Sequence, residues 1–264
     1  MKKIFYLIAV CSVLCSACKK LALVETTKYE TIAPGDPKYA YVKILNLSPA
    51  SPALTFYVDG GKFSAALSSL GVENAGYAFN GLFPDLGYAV TTPGAHTLTG
   101  KVIPSATVDP GVEVYNTPVN FGAGKYYSII PNGIYTVASK KIPASYIIED
   151  VRPATDTTKI FIRLANFYNN GPAVDLIKDS ATGTKLISNS ANGTVSNWIS
   201  IPNPGNTSSP SNKFYLNVAG TATTLITDGA TLNMAKGRAY TLYLRGVLGN
   251  ATYPATLVTY TTFY

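Results

Sequence analysis

Apolar and polar side chains alternate in short runs along most of this chain. In "AYVKIL" (40–45) Val42 and Ile44 fall on one face and Lys43 on the other. "IFIRLAN" (160–166) repeats the pattern, with Ile162 and Leu164 set against Arg163. A period of two belongs to a strand. No long segment carries the 3.6-residue period and capping residues of a helix. Turn sequences break the runs about every 8–12 residues, "VDGG", "FPDLG", "TTPG" and "PNG" early, "NNGP", "SANG", "TDG" and "LGN" late. The pattern predicts an all-β chain built as antiparallel sandwiches of the Ig-like or transthyretin-like kind.

The alternation also repeats at long range. "AYVKILNLSPASPALTFYVDG" (40–60) aligns with "IFIRLANFYNNGPAVDLIKDS" (160–180) at a constant offset of 120. Lys43 meets Arg163, Asn46 meets Asn166, Pro52 meets Pro172 and Asp59 meets Asp179. Later, "GAGKYYSII" (122–130) parallels "AKGRAYTLYL" (235–244) at an offset of 113, and "PASYIIE" (143–149) parallels "PATLVTY" (254–260) at 111. A self-similarity of this length is a tandem duplication whose loops differ in length. The boundaries expected are repeat 1 over 39–149, a linker over 150–158 stiffened by Pro153, and repeat 2 over 159–264, each with about seven or more strands. The short linker suggests halves that sit end to end.

The stretch "NLSPASPALTFYVDG" (46–60), with "GAHTL" (94–98) and "AGKYYSI" (123–129) further on, resembles the hallmark of domain of unknown function 4397, a module of bacterial exported and cell-surface proteins. The second copy keeps Asn166, Pro172 and Asp175 and loses the Ser-Pro pair. The resemblance implies a β-sandwich at the cell surface and no established activity.

Residues 1–17, "MKKIFYLIAVCSVLCSA", change the picture of where the chain works. Two lysines, an apolar run from Ile4 to Leu14 and then small residues form the pattern of a secretory signal peptide. The run is too short for a permanent membrane span. Ser16 and Ala17 supply small side chains before Cys18, whereas Cys11 and Cys15 follow Val10 and Leu14. This resembles the bacterial lipoprotein box, with Cys15 in the place usually held by Leu. The resemblance implies that Cys18 becomes the mature N-terminus and carries fatty acyl chains such as palmitate, while Cys11 and Cys15 leave with the leader. Several acyl chains, at about 0.8 kcal/mol per buried methylene, hold a protein on a membrane in effect permanently. Lys19 stands where inner-membrane lipoproteins typically carry Asp, so the expected location is the outer membrane. Residues 18–38 then form a tether spanning about 25 Å on average.

The formal charge of +7 loses two units with Lys2 and Lys3, and the remaining cations are scattered. Nucleic-acid binders cluster them, so no nucleic-acid partner is expected. Candidate chemistry is sparse. His96 is the single histidine, and on the alignment Phe214 takes its place in the second copy, which argues against a shared catalytic base. Glu149-Asp150 is the sole adjacent carboxylate pair, and it opens the linker. Asp59 and Asp179 lie in turn sequences, and Asn46 and Asn166 fit amides that bond the backbone where a strand ends. No metal site, cofactor or catalytic residue is expected.

The 19 tyrosines and Trp198 are the one compositional excess, suited either to strand surfaces or to stacking on ligands. Trp198, Asn203 and Asn206, beside the loop "IPNPGNTSSPSN" (201–212), form the candidate binding rim. "DTT" (156–158) and "DSA" (179–181) resemble a bacterial O-glycosylation pattern that would place sugar on Thr157 and Ser180. The expectation is a non-catalytic envelope lipoprotein presenting two β-sandwich modules for adhesion, glycan or surface-protein binding. The alternatives are a glycan-acting enzyme with a site between the domains, and a fimbria-like subunit that donates its terminal strand "ATLVTYTTFY".

Overall fold

The structure is a computed structural model that describes residues 30–66, 71–202, 211–226 and 229–263. Cys18, the leader and most of the tether, with Asn203 and Asn206 of the candidate rim, lie outside the described residues. The fold is all-β. The first half holds β1 (Ala40–Leu45), β2 (Leu54–Val58), β3 (Gly61–Lys62), β4 (Leu82–Phe83), β5 (Ala89–Thr91), β6 (Gly94–Val102), β7 (Glu113–Phe121), β8 (Tyr126–Asn132) and β9 (Ala144–Glu149). The second holds β10 (Lys159–Asn166), β11 (Val174–Lys178), β12 (Thr184–Ser190), β13 (Thr194–Val195), β14 (Ile199–Pro202), β15 (Ser211–Val218), β16 (Ala230–Asn233), β17 (Ala239–Arg245) and β18 (Thr256–Phe263).

Strand for strand, the two halves share one topology. An outer sheet runs β3-β2-β6-β7 in the first half and β12-β11-β15-β16 in the second. An inner sheet runs β4-β1-β8-β9 with β5 also on β1, and β13-β10-β17-β18 with β14 also on β10. The sheets are not wholly antiparallel, which corrects the sequence expectation. β1 runs parallel to β8, with Val42 opposite Tyr127, and β10 runs parallel to β17, with Ile162 opposite Tyr240. Parallel neighbours need a long crossover. The strands between β1 and β8 supply it by passing through the outer sheet, which no local pattern reveals.

Each half closes over its own core, Leu54, Phe56 and Leu98 under β1 in the first and Leu176, Phe214 and Leu216 under β10 in the second. A third core joins Leu45, Leu47 and Ile130 of the first half to Ala165, Phe167 and Tyr243 of the second. The two inner sheets therefore pack against each other, and the order of layers is outer, inner, inner, outer. The expectation of halves placed end to end is corrected. All six residues of β1 are buried, because one face meets its sandwich core and the other meets the second half.

Register also corrects two sequence alignments. Val58 pairs with Leu98 and Lys178 pairs with Phe214, so Phe214 corresponds to Leu98 and the counterpart of His96 is Asn212. Ile130 pairs with Tyr146 and Tyr243 with Val258, which places the last strands at an offset of 112. A one-residue slip in a strand exchanges its faces. Tyr146 and Val258 accordingly share the third core, while Leu257 belongs to the second sandwich. β18 pairs with β17 along its whole length and completes its own half.

Candidate functional site

Lys43 and Arg163, the cations that alternate against the apolar faces of β1 and β10, meet in the seam between the halves. Lys43 Nζ donates to the Thr261 carbonyl at 3.3 Å and lies 4.7 Å above the Tyr88 ring. Arg163 lies 4.5 Å above the Trp198 ring, donates from Nε to Thr241 Oγ1 at 2.9 Å, and pairs with Asp150. Tyr88 and Trp198 occupy equivalent places, just before β5 and β14. Each half thus sends a cation under its own aromatic ring and onto the far end of the other half's last strand.

Asp150, fully buried, is the hub. Its carboxylate accepts from Ser128 Oγ at 2.6 Å and from the Tyr88 hydroxyl at 2.9 Å besides Arg163. Burial, then Asp150, pushes the Tyr88 hydroxyl well above the ordinary tyrosine range. Burial pulls Lys43 down to about 8, against the pull of Asp150 in the other direction. The carboxylate is wholly buried and takes donors from both halves, so this cluster clamps the halves together. Glu149 points away and pairs on the surface with Lys125 at 2.9 Å.

The hallmark motif builds one end of the first sandwich. The buried Asn46 side chain accepts from Ser48 N at 3.1 Å and donates to Ser51 Oγ at 3.2 Å and to the Tyr77 carbonyl at 3.1 Å. Ser48 Oγ donates to the Gly133 carbonyl at 2.6 Å. In the second half Asn166 donates to the Ser190 carbonyl at 2.8 Å. These amides tie loops to the sheet, as the sequence suggested.

Two concavities flank the segment that Asn46 holds. A groove of about 370 Å³ is lined largely by apolar groups, among them Pro52, Ile103, Val108, Tyr135 and Val137. A cleft of about 460 Å³ opens on the other side, where Asn74, Tyr77, Asn80, Leu82 and Asp85 of the first half face Tyr260 of the second. The cleft is held firmly. A Cβ at Gly76 would lie 2.5 Å from Ile103 Cγ2, and one at Gly81 would lie 2.8 Å from the Ala78 carbonyl, so both positions require glycine. Asn80 adopts φ +72° with its N–H donating to the Asn46 carbonyl at 2.7 Å. Among the described residues no donor reaches Asn80 Oδ1, although that atom is buried. Arg245 lies 5.3 Å above the ring of Phe79, the residue preceding Asn80, and its buried Nε likewise lacks a partner among the described residues. A buried polar atom left unpaired costs about 1–3 kcal/mol, so the Asn80 oxygen calls for a donor that the described residues do not supply.

The remaining sequence candidates are dispersed. Trp198 is half-buried, with its Nε1 donating to the Val151 carbonyl at 2.8 Å, so its ring belongs to the seam. Thr157 and Ser180 are exposed in turns. Asp59 and Asp179 take φ +49° and +75° in equivalent turns. His96 Nδ1 faces Asp59 Oδ2 at 2.6 Å, and Nε2 lies 2.9 Å from the Thr92 carbonyl and 3.4 Å from its hydroxyl. The trio has the members of a charge-relay triad, but Nε2 is turned to a carbonyl, which can only accept. It cannot take a proton from Thr92 in that geometry, and the group ties strand ends together. The Thr97 N–H and His96 hold the Asp59 carboxyl below the ordinary range.

Sequence reasoning missed Asn74, Asn80, Asp85 and Tyr260. The one signal near them is the Asn80-Gly81 pair, which marks a turn; nothing local places Tyr260 opposite it. Against known proteins, no curated sequence matches the chain. A family model described as a domain of unknown function, DUF4397, matches residues 40–177, just over half of the chain and as far as β11. The chain therefore belongs to the DUF4397 family.

Proposed function

We propose that this chain is a non-catalytic envelope lipoprotein, anchored through Cys18, whose two halves act as one binding body with its ligand site in the cleft at their junction. The second half, on this reading, is a diverged copy of the same family module. The observation that carries the reading is the buried, unpaired Asn80 Oδ1 in a preformed cleft to which both halves contribute. Binding rather than hydrolysis suits the carboxylates. Asp85 lines the cleft, whereas Glu73, the other carboxylate that acts on Tyr77, is paired with Lys62. Acid–base cleavage of a glycosidic bond calls for two carboxyls facing each other across the substrate. The apolar groove, with Val108 and Val137 exposed, favours a surface protein as a second ligand class.

The test uses the full chain and its Cys18→Ser variant. Wild type partitions into the detergent phase and the variant into the aqueous phase; equal partitioning contradicts the anchor. On a glycan array and in a pull-down of surface proteins, the variant retains a ligand, and retention falls when Asn80→Asp and Tyr260→Ala are added. Retention indifferent to both substitutions contradicts the site.

A further inference from the structure

We infer that the junction cleft binds a neutral saccharide, one or two pyranose rings long, an assignment that rests on the reading of the cleft as a binding site. The argument is chemical. Asn80 Oδ1, in a residue of the cleft wall, needs a donor that the described residues do not supply. A hydroxyl supplies one and can still accept from a neighbouring amide, and a sugar ring presents several at fixed spacing. Asp85 and Asn74 at the exposed rim add a carboxylate and an amide for further hydroxyls, while the half-buried Tyr260 gives an aromatic surface for the C–H face of a ring.

The competing ligands fit less well. An ammonium group would suit Asp85 and the tyrosines, but Arg245, which acts electrostatically on Tyr260, repels a cation. A polyanion would meet Asp85 and the Asn80 oxygen head on. The volume of about 460 Å³ falls in the range of roughly 300–1,000 Å³ usual for small-molecule sites. The glycine contacts and the Asn80–Asn46 bond hold the cleft in shape before any ligand arrives. Rigidity matters for a sugar, whose weak individual contacts cannot repay much ordering.

The experiment titrates full-length Cys18→Ser protein with methyl α-D-mannopyranoside, methyl β-D-galactopyranoside, N-acetylglucosamine and lactose, read by saturation-transfer NMR and calorimetry. Tetramethylammonium serves as the cationic probe. At least one sugar binds saturably, and Asn80→Asp and Tyr260→Ala each weaken it at least tenfold. Asp85→Ala, an exposed rim change that leaves the fold intact, weakens it at least threefold and covers the case in which a cleft variant misfolds. Silence toward all four sugars overturns the assignment, as does sugar binding indifferent to the three substitutions. Binding of tetramethylammonium in place of sugars overturns it too. If sugars fail while array or pull-down retention still depends on Asn80 and Tyr260, the cleft stands as a binding site and its saccharide class falls.

Discussion

Lys43 shows how a residue that looks like surface becomes structure. Its place in the alternation puts it opposite the sandwich core, where polar side chains ordinarily meet water. Here that face meets a second sheet, and burial lowers its pKa from 10.5 to about 8. The unfolded chain therefore holds a proton on Lys43 between pH 8 and 10.5 that the folded chain has released, so the contribution of Lys43 to stability rises with pH across that window. Chemical denaturation of wild type and Lys43→Met side by side from about pH 7.5 to 9.5 isolates it: the wild type should gain stability relative to the variant as pH rises, and parallel profiles contradict the account. Ala50 offers a separate test. It sits exposed at φ +63°, a conformation that disfavours a side chain with Cβ, while the equivalent Asn170 sits at φ +62°. Ala50→Asn should stabilise the protein by about 0.5–1 kcal/mol in urea melts. An unchanged or lower midpoint would mean the turn is held by something else.

At the scale of elements, period-two alternation and turn spacing were enough to read strands in both copies, and the repeat was legible from β1 and β10 onward. The register of the last strands was not. Similar apolar residues stand on both faces of "PASYIIE" and "PATLVTY", so an alignment by residue type slips by one without penalty. The structure breaks the tie. Tyr146 packs against Phe167 with ring centroids 4.7 Å apart, whereas Ile147 is exposed. Tyr146→Ala should cost about 2 kcal/mol and Ile147→Glu within about 0.5 kcal/mol. The reverse order in thermal melts would restore the slipped register. The parallel pairs were illegible for a different reason, since the partners lie a whole repeat-length apart and only the closed sandwich brings them together.

At the scale of the molecule, the sequence implied two modules on a short linker, and the structure makes them one four-layer body. The apolar residues of the third core were visible, but β8, "YYSIIPN", reads as an ordinary core strand whichever sheet covers it. The cleft was less legible still, because Asn80 and Tyr260 lie on opposite halves and meet through the seam alone. Asp150 is the most exacting point in that seam. Asp150→Asn leaves Lys43 and Arg163 buried without their counter-charge and should cost about 3 kcal/mol or more. Adding Arg163→Met should recover part of the loss, a coupling that a double-mutant cycle in urea reads and that strict additivity would refute.

Face-to-face packing of the halves underlies both the clamp and the cleft, and small-angle scattering tests it most directly. The chain from Gly35 onward forms one compact unit. Its radius of gyration should be about 17 Å, the value for a single globule of this length. Two halves joined end to end by the linker would scatter at roughly 24 Å, and that result would contradict the account.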